Sequence, residues 1–432
     1  MSEASRPHKH PHQGLYQRLG LTFLKSEWRF MLFGALMASW SSLGQTFFIS
    51  LFSADIRAAL NLSHGDFGTY YAIATAASAA TLVFVGKFAD TVPVRKLSLI
   101  TLACICLSAL HFSTIQNITM LVIGIYLLRL WGQGMMSHVW STAMARRYVK
   151  ARGRTLALAS FGMTIAESIG PAIIVLMLGY MSWRMVWVII PLIAFLTLAP
   201  FLGTLTKRSP LQDGEGVEGL QKSLNGADKS DFNRRDMLRD SAFWLAIIWL
   251  VFVPSFTVTG VLFHQIYLAD LKGISLIVWA TNYSFYAIAA LVGSIASGIL
   301  VDKLTAHRMV AITQVPVVIF ALLLWVTDGP LTLALFFMFF GLCSGMPQTA
   351  LSSLLAERYG TAHLGEIKAT TLPINVLASA GAPIIMGIMI DQGASLTALM
   401  GLLAGFGLLS SLGAFAAFNL GLSALPKSVS PS

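Results

Sequence analysis

Charge is scarce in this chain. Only 11% of its 432 residues are charged, against about 25% in an ordinary soluble domain, so a water-facing globular surface is excluded. Cysteine is nearly absent too. Cys104, Cys106 and Cys343 all fall inside apolar runs, which argues against a disulfide framework. A phosphate-binding glycine loop, a metal-ligand pair and a nucleophile beside a base are all missing. No enzyme class, cofactor or metal is therefore expected. The first 28 residues lack the pattern of a cleavable signal and read as a cytoplasmic tail. His8, His10 and His12 alternate in that tail, but no acid or cysteine joins them, so they read as solvated histidines.

What fills the sequence is hydrocarbon, with 56% hydrophobic residues and a mean hydropathy of +0.73. A membrane-crossing helix needs about 20 mostly apolar residues. Twelve such stretches can be placed: 29–52, 67–88, 97–115, 119–144, 155–179, 184–206, 241–267, 275–300, 308–328, 330–356, 368–391 and 395–420. The polar segment 207–240 divides them into two sets of six, so the expected domains are a tail (1–28), a bundle (29–206), a linker (207–240), a second bundle (241–421) and a tail (422–432). The net charge of +10 invites a nucleic-acid reading, but its distribution excludes one. Of the 29 lysines and arginines, only Arg57, Arg184 and Lys272 fall on one side of the spans and Arg129 within them; all others fall on the opposite side. Positive charge accumulates on the cytoplasmic side, so both termini are expected there. Asn61-Leu-Ser63 and Asn117-Ile-Thr119 match the glycosylation pattern on the outer side. Short outer loops suggest a bacterial inner-membrane protein, in which these are chance matches.

An internal repeat fits the division into halves. Gly86 and Asp90, with Arg95 and Lys96 following, close the second span; Gly298 and Asp302, with Arg308 following, recur 212 residues on. The same offset relates Pro171 to Pro383. Glycine admits a neighbouring helix, and an acid at a helix mouth can face a helix N-terminus or a basic loop. Gly86, Asp90, Arg95, Gly298 and Asp302 are therefore candidate gating residues on the cytoplasmic side.

The stretch from Gly86 to Lys96 resembles the loop G-x-x-x-D-x-x-x-x-R-[KR] of the major facilitator superfamily. That resemblance implies an all-α integral membrane protein of twelve helices in two pseudo-symmetric six-helix bundles, transporting by alternating access. Tyr148 to Gly162, Phe263-His264-Gln265 and Arg358-Tyr359-Gly360 are similar to the monocarboxylate-transporter branch. Animal members of that branch hold their carboxylate with a helix 8 arginine, with an acid four residues before it, and have a lysine in helix 1. Here Ser294 and Ala290 stand at the corresponding helix 8 positions, and no lysine lies between Lys25 and Lys87. The branch's substrate chemistry does not carry over. Gly170-Pro171 is similar to a drug-antiporter signature whose further glycines are absent.

Buried ionisable groups are the sharpest functional signal, because each costs about 2.5–3.5 kcal/mol at a helix centre. Arg129 lies ten residues into the fourth span and Glu167 twelve into the fifth, roughly 15 and 18 Å deep at 1.5 Å per residue. Both fall near the midplane of a core about 30 Å thick. An arginine there predicts an anionic cargo, and a glutamate predicts a proton carrier. The two are expected to pair in the empty protein and to separate when an anion competes for Arg129. Gln45, Gln133, Thr257, Tyr286 and Asn375 are candidate cavity-lining groups. His138 and Gln348 are expected nearer the inner face, and His264 near the outer one.

The sequence thus predicts a proton-coupled secondary transporter of a small organic anion, working as a monomer in the bilayer. The alternative is a proton-driven exporter of drugs or siderophore-like molecules, with Glu167 as its proton carrier.

Overall fold

The computed structural model describes residues 24–148, 152–206, 232–360 and 363–419. The tail histidines, most of the linker and the C-terminal segment lie outside these residues. So do the side chains of Asp90 and Asp302, although both positions are helical.

Every spanning element is helical, as it must be where no water can satisfy the backbone. The first bundle comprises α1 (Leu24–Trp40), α2 (His64–Val85), α3 (Val94–Ser113), α4 (Ile118–Arg147), α5 (Arg152–Leu178) and α6 (Trp183–Leu205). The second comprises α7 (Phe243–Phe263), α8 (Leu276–Leu304), α9 (Ala306–Val326), α10 (Pro330–Tyr359), α11 (Leu364–Asp391) and α12 (Leu396–Asn419). Eleven of these are long and apolar enough to cross a membrane. The twelfth, α1, is the one whose expected span differs.

The sequence predicts one continuous helix over 29–52, but the chain breaks after Trp40 into a 3-10 turn (Ser41–Gly44), a short helix (Thr46–Ile49) and a second 3-10 turn (Ser50–Phe52). The Ser41 hydroxyl donates back to the Ala38 carbonyl at 2.7 Å, a local bond that competes with the helical ladder. Gln45 is extended (φ −85, ψ 153). Phe48 and Ile49 then donate to the Gln45 carbonyl, which releases the Gly44 carbonyl from the ladder. A Cβ on Gly44 would stand 2.8 Å from Gly132 Cα, so the break and α4 approach backbone to backbone. Facing it, α4 opens into a π-helical stretch, Arg129–Met136, a distortion that recurs at functional sites.

Lysine and arginine gather where α2, α4, α6, α8 and α10 end, a region termed the basic end below. A matching pair of clusters ties each bundle together there. In the first, Arg147 pairs with Glu27 at 2.9 Å and the Tyr148 hydroxyl donates to the same carboxylate at 2.9 Å. In the second, Arg358 and the Tyr359 hydroxyl donate to Asp240, at 2.8 Å from Nη2 and 2.7 Å respectively. The two halves thus also share an acid at the entry of α1 and α7 and an Arg-Tyr pair at the exit of α4 and α10. Burial alone would push the Asp240 carboxyl up, but Arg358, Tyr359 and the Ala242 N–H together hold it below the usual carboxylate range.

Removing the acid from so buried a pair should cost about 3–5 kcal/mol, and Asp240→Asn is expected to lower the denaturation midpoint accordingly. A depressed carboxyl stabilises the fold fully above its unfolded value near 3.8 and loses that contribution as pH falls through the lower folded value. The gap between parent and variant should therefore be constant at neutral pH and shrink below about pH 4. A gap that widens in acid would exclude the ionised pair as its source.

Candidate functional site

A cavity of about 280 Å³ lies between the bundles at mid-depth. The first bundle contributes Thr46, Arg129 and Gln133. Opposite them, α7 supplies Ser255 and Thr259, α10 supplies Ser344 and Gln348, and α11 supplies Thr371, Asn375 and Ser379. Apolar groups such as Pro254, Val258 and Leu351 fill the spaces between.

Arg129 is 4% exposed and is held by the break in the first span. Its Nη1 donates to the Gly44 carbonyl at 3.2 Å and to the Thr46 hydroxyl at 3.3 Å. The guanidinium carbon lies 5.4 Å from the centre of the Tyr71 ring, and the Tyr71 hydroxyl in turn donates to Thr46 at 2.8 Å. Nε is buried with no partner. Carbonyl and hydroxyl dipoles and Tyr71 therefore carry this cation, and its Nε has no hydrogen-bond partner among the described residues.

The expected Arg129–Glu167 ion pair is not formed. Glu167 points instead toward α8, where the Ser284 hydroxyl donates to the Ser168 carbonyl at 3.3 Å. There it lies within electrostatic reach of Tyr283 and Tyr286, and it makes no ion pair with a described residue. The physical reason is register: α5 turns position 167 toward the second bundle, whereas the break in the first span draws Arg129 the other way. Tyr286 is one layer behind the cavity, its hydroxyl donating to the cavity-lining Ser344 at 3.1 Å. Thr257 is fully buried and donates to Val253 at 2.7 Å, so it packs α7 and does not face the cavity. Gln45 is not among the lining residues, and its neighbour Thr46 is. Thr46, Ser255, Thr259, Ser344, Thr371 and Ser379 escaped the sequence reading, because short hydroxyls are as common in helix packing as in cavities.

Of the candidate gating glycines, Gly298 has room to spare, whereas a Cβ on Gly86 would stand 2.8 Å from the Leu82 carbonyl oxygen. The nearest side-chain atoms to a Cβ on Gly86 and on Gly298 would be His138 at 3.6 Å and Thr349 at 3.8 Å. Arg95 lies across Gly203 of α6, 3.0 Å from where a Cβ would stand. A close contact between bundles occurs at the other end. Asp391, at the end of α11, accepts from the backbone N–H groups of His64 and Gly65 at 2.9 and 2.7 Å. An acid thus meets a helix N-terminus, but away from the basic end. A Cβ on Gly68 would stand 2.6 Å from the Pro383 carbonyl carbon, and Phe67 stacks on Phe263 at 5.1 Å. Gln265 donates to the Phe47 carbonyl at 3.0 Å and to Ser50 at 2.7 Å, and accepts from Tyr283 at 2.8 Å. Among bonds between described residues, all those that cross from bundle to bundle lie in this half of the molecule.

Two helical bundles around one polar cavity, sealed at one end by contacts between them, define a transporter and not an enzyme. The chain belongs to the Major Facilitator Superfamily, which it matches across residues 34–383. It is similar to a bacterial homologue of the human lysosomal transporter Spinster in an inward-facing, occupied structure, at 15% identity and a TM-score of 0.70, covering 95% of this chain and 100% of that one. Against the unoccupied form the values are 16% and 0.63, over 90% and 94%. The nucleoside transporter NupG superposes with a TM-score of 0.69 at 11% identity, over 90% of this chain and all of that one. No curated protein matches the sequence significantly. At these identities the likeness concerns the fold.

Breaking the Asp391 contact should loosen the sealed end. In a protein whose native cysteines are replaced, Asp391→Asn is expected to raise labelling of a cysteine at Ser255 several-fold when reagent is applied from that end. Unchanged labelling would show that Asp391 does not hold the seal.

Proposed function

We propose that the protein is a secondary active transporter of the bacterial inner membrane that moves a small organic anion by alternating access, coupled to protons. The observation that carries this reading is the cation in the cavity wall. Arg129 is buried, has no acid partner among the described residues, and keeps Nε without a hydrogen bond. A carboxylate fits the planar fork of an arginine in a bidentate manner, so an anion entering the cavity would give the guanidinium an acceptor of matching charge.

Glu167 is the proposed proton carrier. Glu167 is half-buried within its span and has no ion-pair partner among the described residues, and an ionised carboxylate so placed is costly, so it suits a group that takes up and releases a proton. Its neighbours lead both ways: Tyr286 to the cavity through Ser344, and Tyr283 to the sealed end through Gln265. Protonation there would be felt at the cargo and at the seal together. With the basic end in the cytoplasm, as positive residues favour, the sealed end is periplasmic and this conformation faces inward. The gating roles of Gly86, Asp90, Arg95, Gly298 and Asp302 then belong to the outward-facing state, in which the cytoplasmic end closes.

Arg129→Lys should weaken binding of the cargo by about 1.5–3 kcal/mol, roughly ten- to hundred-fold, because a point charge cannot replace the fork. Glu167→Gln should retain exchange of cargo while losing its response to a pH gradient. Normal pH-driven uptake by Glu167→Gln would remove that residue from coupling. Saturable binding of a neutral or cationic cargo by Arg129→Ala would favour the exporter.

Orientation can be tested in whole cells. A cysteine at Thr305, exposed at the basic end, should resist an impermeant thiol reagent, and one at Asp328, exposed at the other end, should react. The reverse pattern would invert the assignment.

A further inference from the structure

The wall facing Arg129 is polar yet carries no charge. No acid and no second base lines the cavity among the described residues, which bears on what can be held there. A dicarboxylate would bury one carboxylate without a cation, and a zwitterionic amino acid would bury an ammonium without an acid. The remaining charge pattern is a single carboxylate at Arg129.

The rest of the cargo is constrained by unused hydrogen-bonding groups. Gln133 and Gln348 line the cavity, and neither amide bonds to a described residue. Asn375 donates to the Ser255 hydroxyl at 2.8 Å and keeps its carbonyl oxygen for another partner. Ser344 accepts from Tyr286, which leaves its own proton available. A short unsubstituted monocarboxylate would satisfy Arg129 and set these groups against methyl carbon or trapped water. Hydroxyl groups, which donate and accept, match amides on both sides. The volume of about 280 Å³ lies at the small end of ligand pockets, about 300–1,000 Å³, room for a chain of several hydroxylated carbons. Pro254 and Val258 offer apolar surface to the C–H faces of such a chain.

Resting on the reading of Arg129 as the anion site, we infer that the cargo is a hydroxylated monocarboxylate of the sugar-acid class. Its carboxylate lies at Arg129 and its hydroxyls are read by Gln133, Gln348 and Asn375.

Calorimetry on the purified full-length protein with gluconate, pyruvate and sorbitol tests this. Gluconate should bind at least tenfold more tightly than either of the others. Gln348→Leu and Asn375→Leu should each weaken gluconate about tenfold while leaving pyruvate within twofold, and that retained pyruvate binding also reports an intact fold. Pyruvate binding the parent as tightly as gluconate would overturn the hydroxyl assignment and leave the anion site standing. Sorbitol binding as tightly as gluconate would overturn the anion site itself. Binding of none of the three would overturn both.

Discussion

The insertion of Arg129 into the break of the first span is the contact on which the rest of the site depends. A cation at mid-depth must be solvated by something, and here the protein unwinds one helix to supply a carbonyl. The unwinding needs Gly44, since any side chain there would meet α4, and it needs Gly132 on the facing side for the same reason. The π-helical stretch that begins at Arg129 is the matching distortion in α4. Each irregularity would be unfavourable alone. Together they place a guanidinium at the cavity wall with Nη1 engaged and Nε without a partner among the described residues.

Around that contact the two kinds of junction differ in chemistry. Within each bundle the basic end is closed by a buried acid shared between an arginine and a tyrosine, Glu27 in one half and Asp240 in the other. Between the bundles, the bonds run largely to backbone groups: Asp391 to two N–H groups, Ser50 to the Leu262 carbonyl, Gln265 to the Phe47 carbonyl. Charge pairs tie helices together within each bundle, whereas contacts largely to backbone groups join the bundles to each other.

Much of this arrangement is legible in the sequence. Long apolar runs, the one-sided lysines and arginines, and the repeat at Gly86 and Gly298 require two helical bundles, because hydrocarbon admits few other solutions. Arg129 and Gln133 stand out as polar groups in an apolar helix, and both line the cavity. The break at Ser41–Gly44 is not legible, since Ser-Ser-Leu-Gly is tolerated inside membrane helices and only the approach of α4 decides the matter. Nor is the direction of Glu167. An ion pair with Arg129 is the natural inference from depth alone, but depth does not fix the azimuth of a residue on its helix. The seal at Asp391 is hidden for a related reason: its partners are backbone N–H groups, which carry no side-chain signal. Glu27 and Asp240 look like ordinary solvated acids until folding brings Arg147 and Arg358 to them.

The strength of the seal bears on whether this molecule can change state. Four of its six bonds between bundles are of the neutral kind and two involve the Asp391 carboxylate. At roughly 0.5–1.5 kcal/mol for each neutral bond and about 1.5–3 for each charged one, the set amounts to something on the order of 5–12 kcal/mol. Moving a two-state equilibrium from 1:99 to 99:1 takes about 5.5 kcal/mol of differential affinity. A seal of this size is therefore of the order that binding of a small-molecule cargo can shift. Had the bundles been joined by pairs like Asp240–Arg358, at about 3–5 kcal/mol for each broken pair, the same six contacts would lock the protein in one state. Placing the charge pairs inside the bundles and backbone contacts between them is what lets one end open while each bundle stays intact.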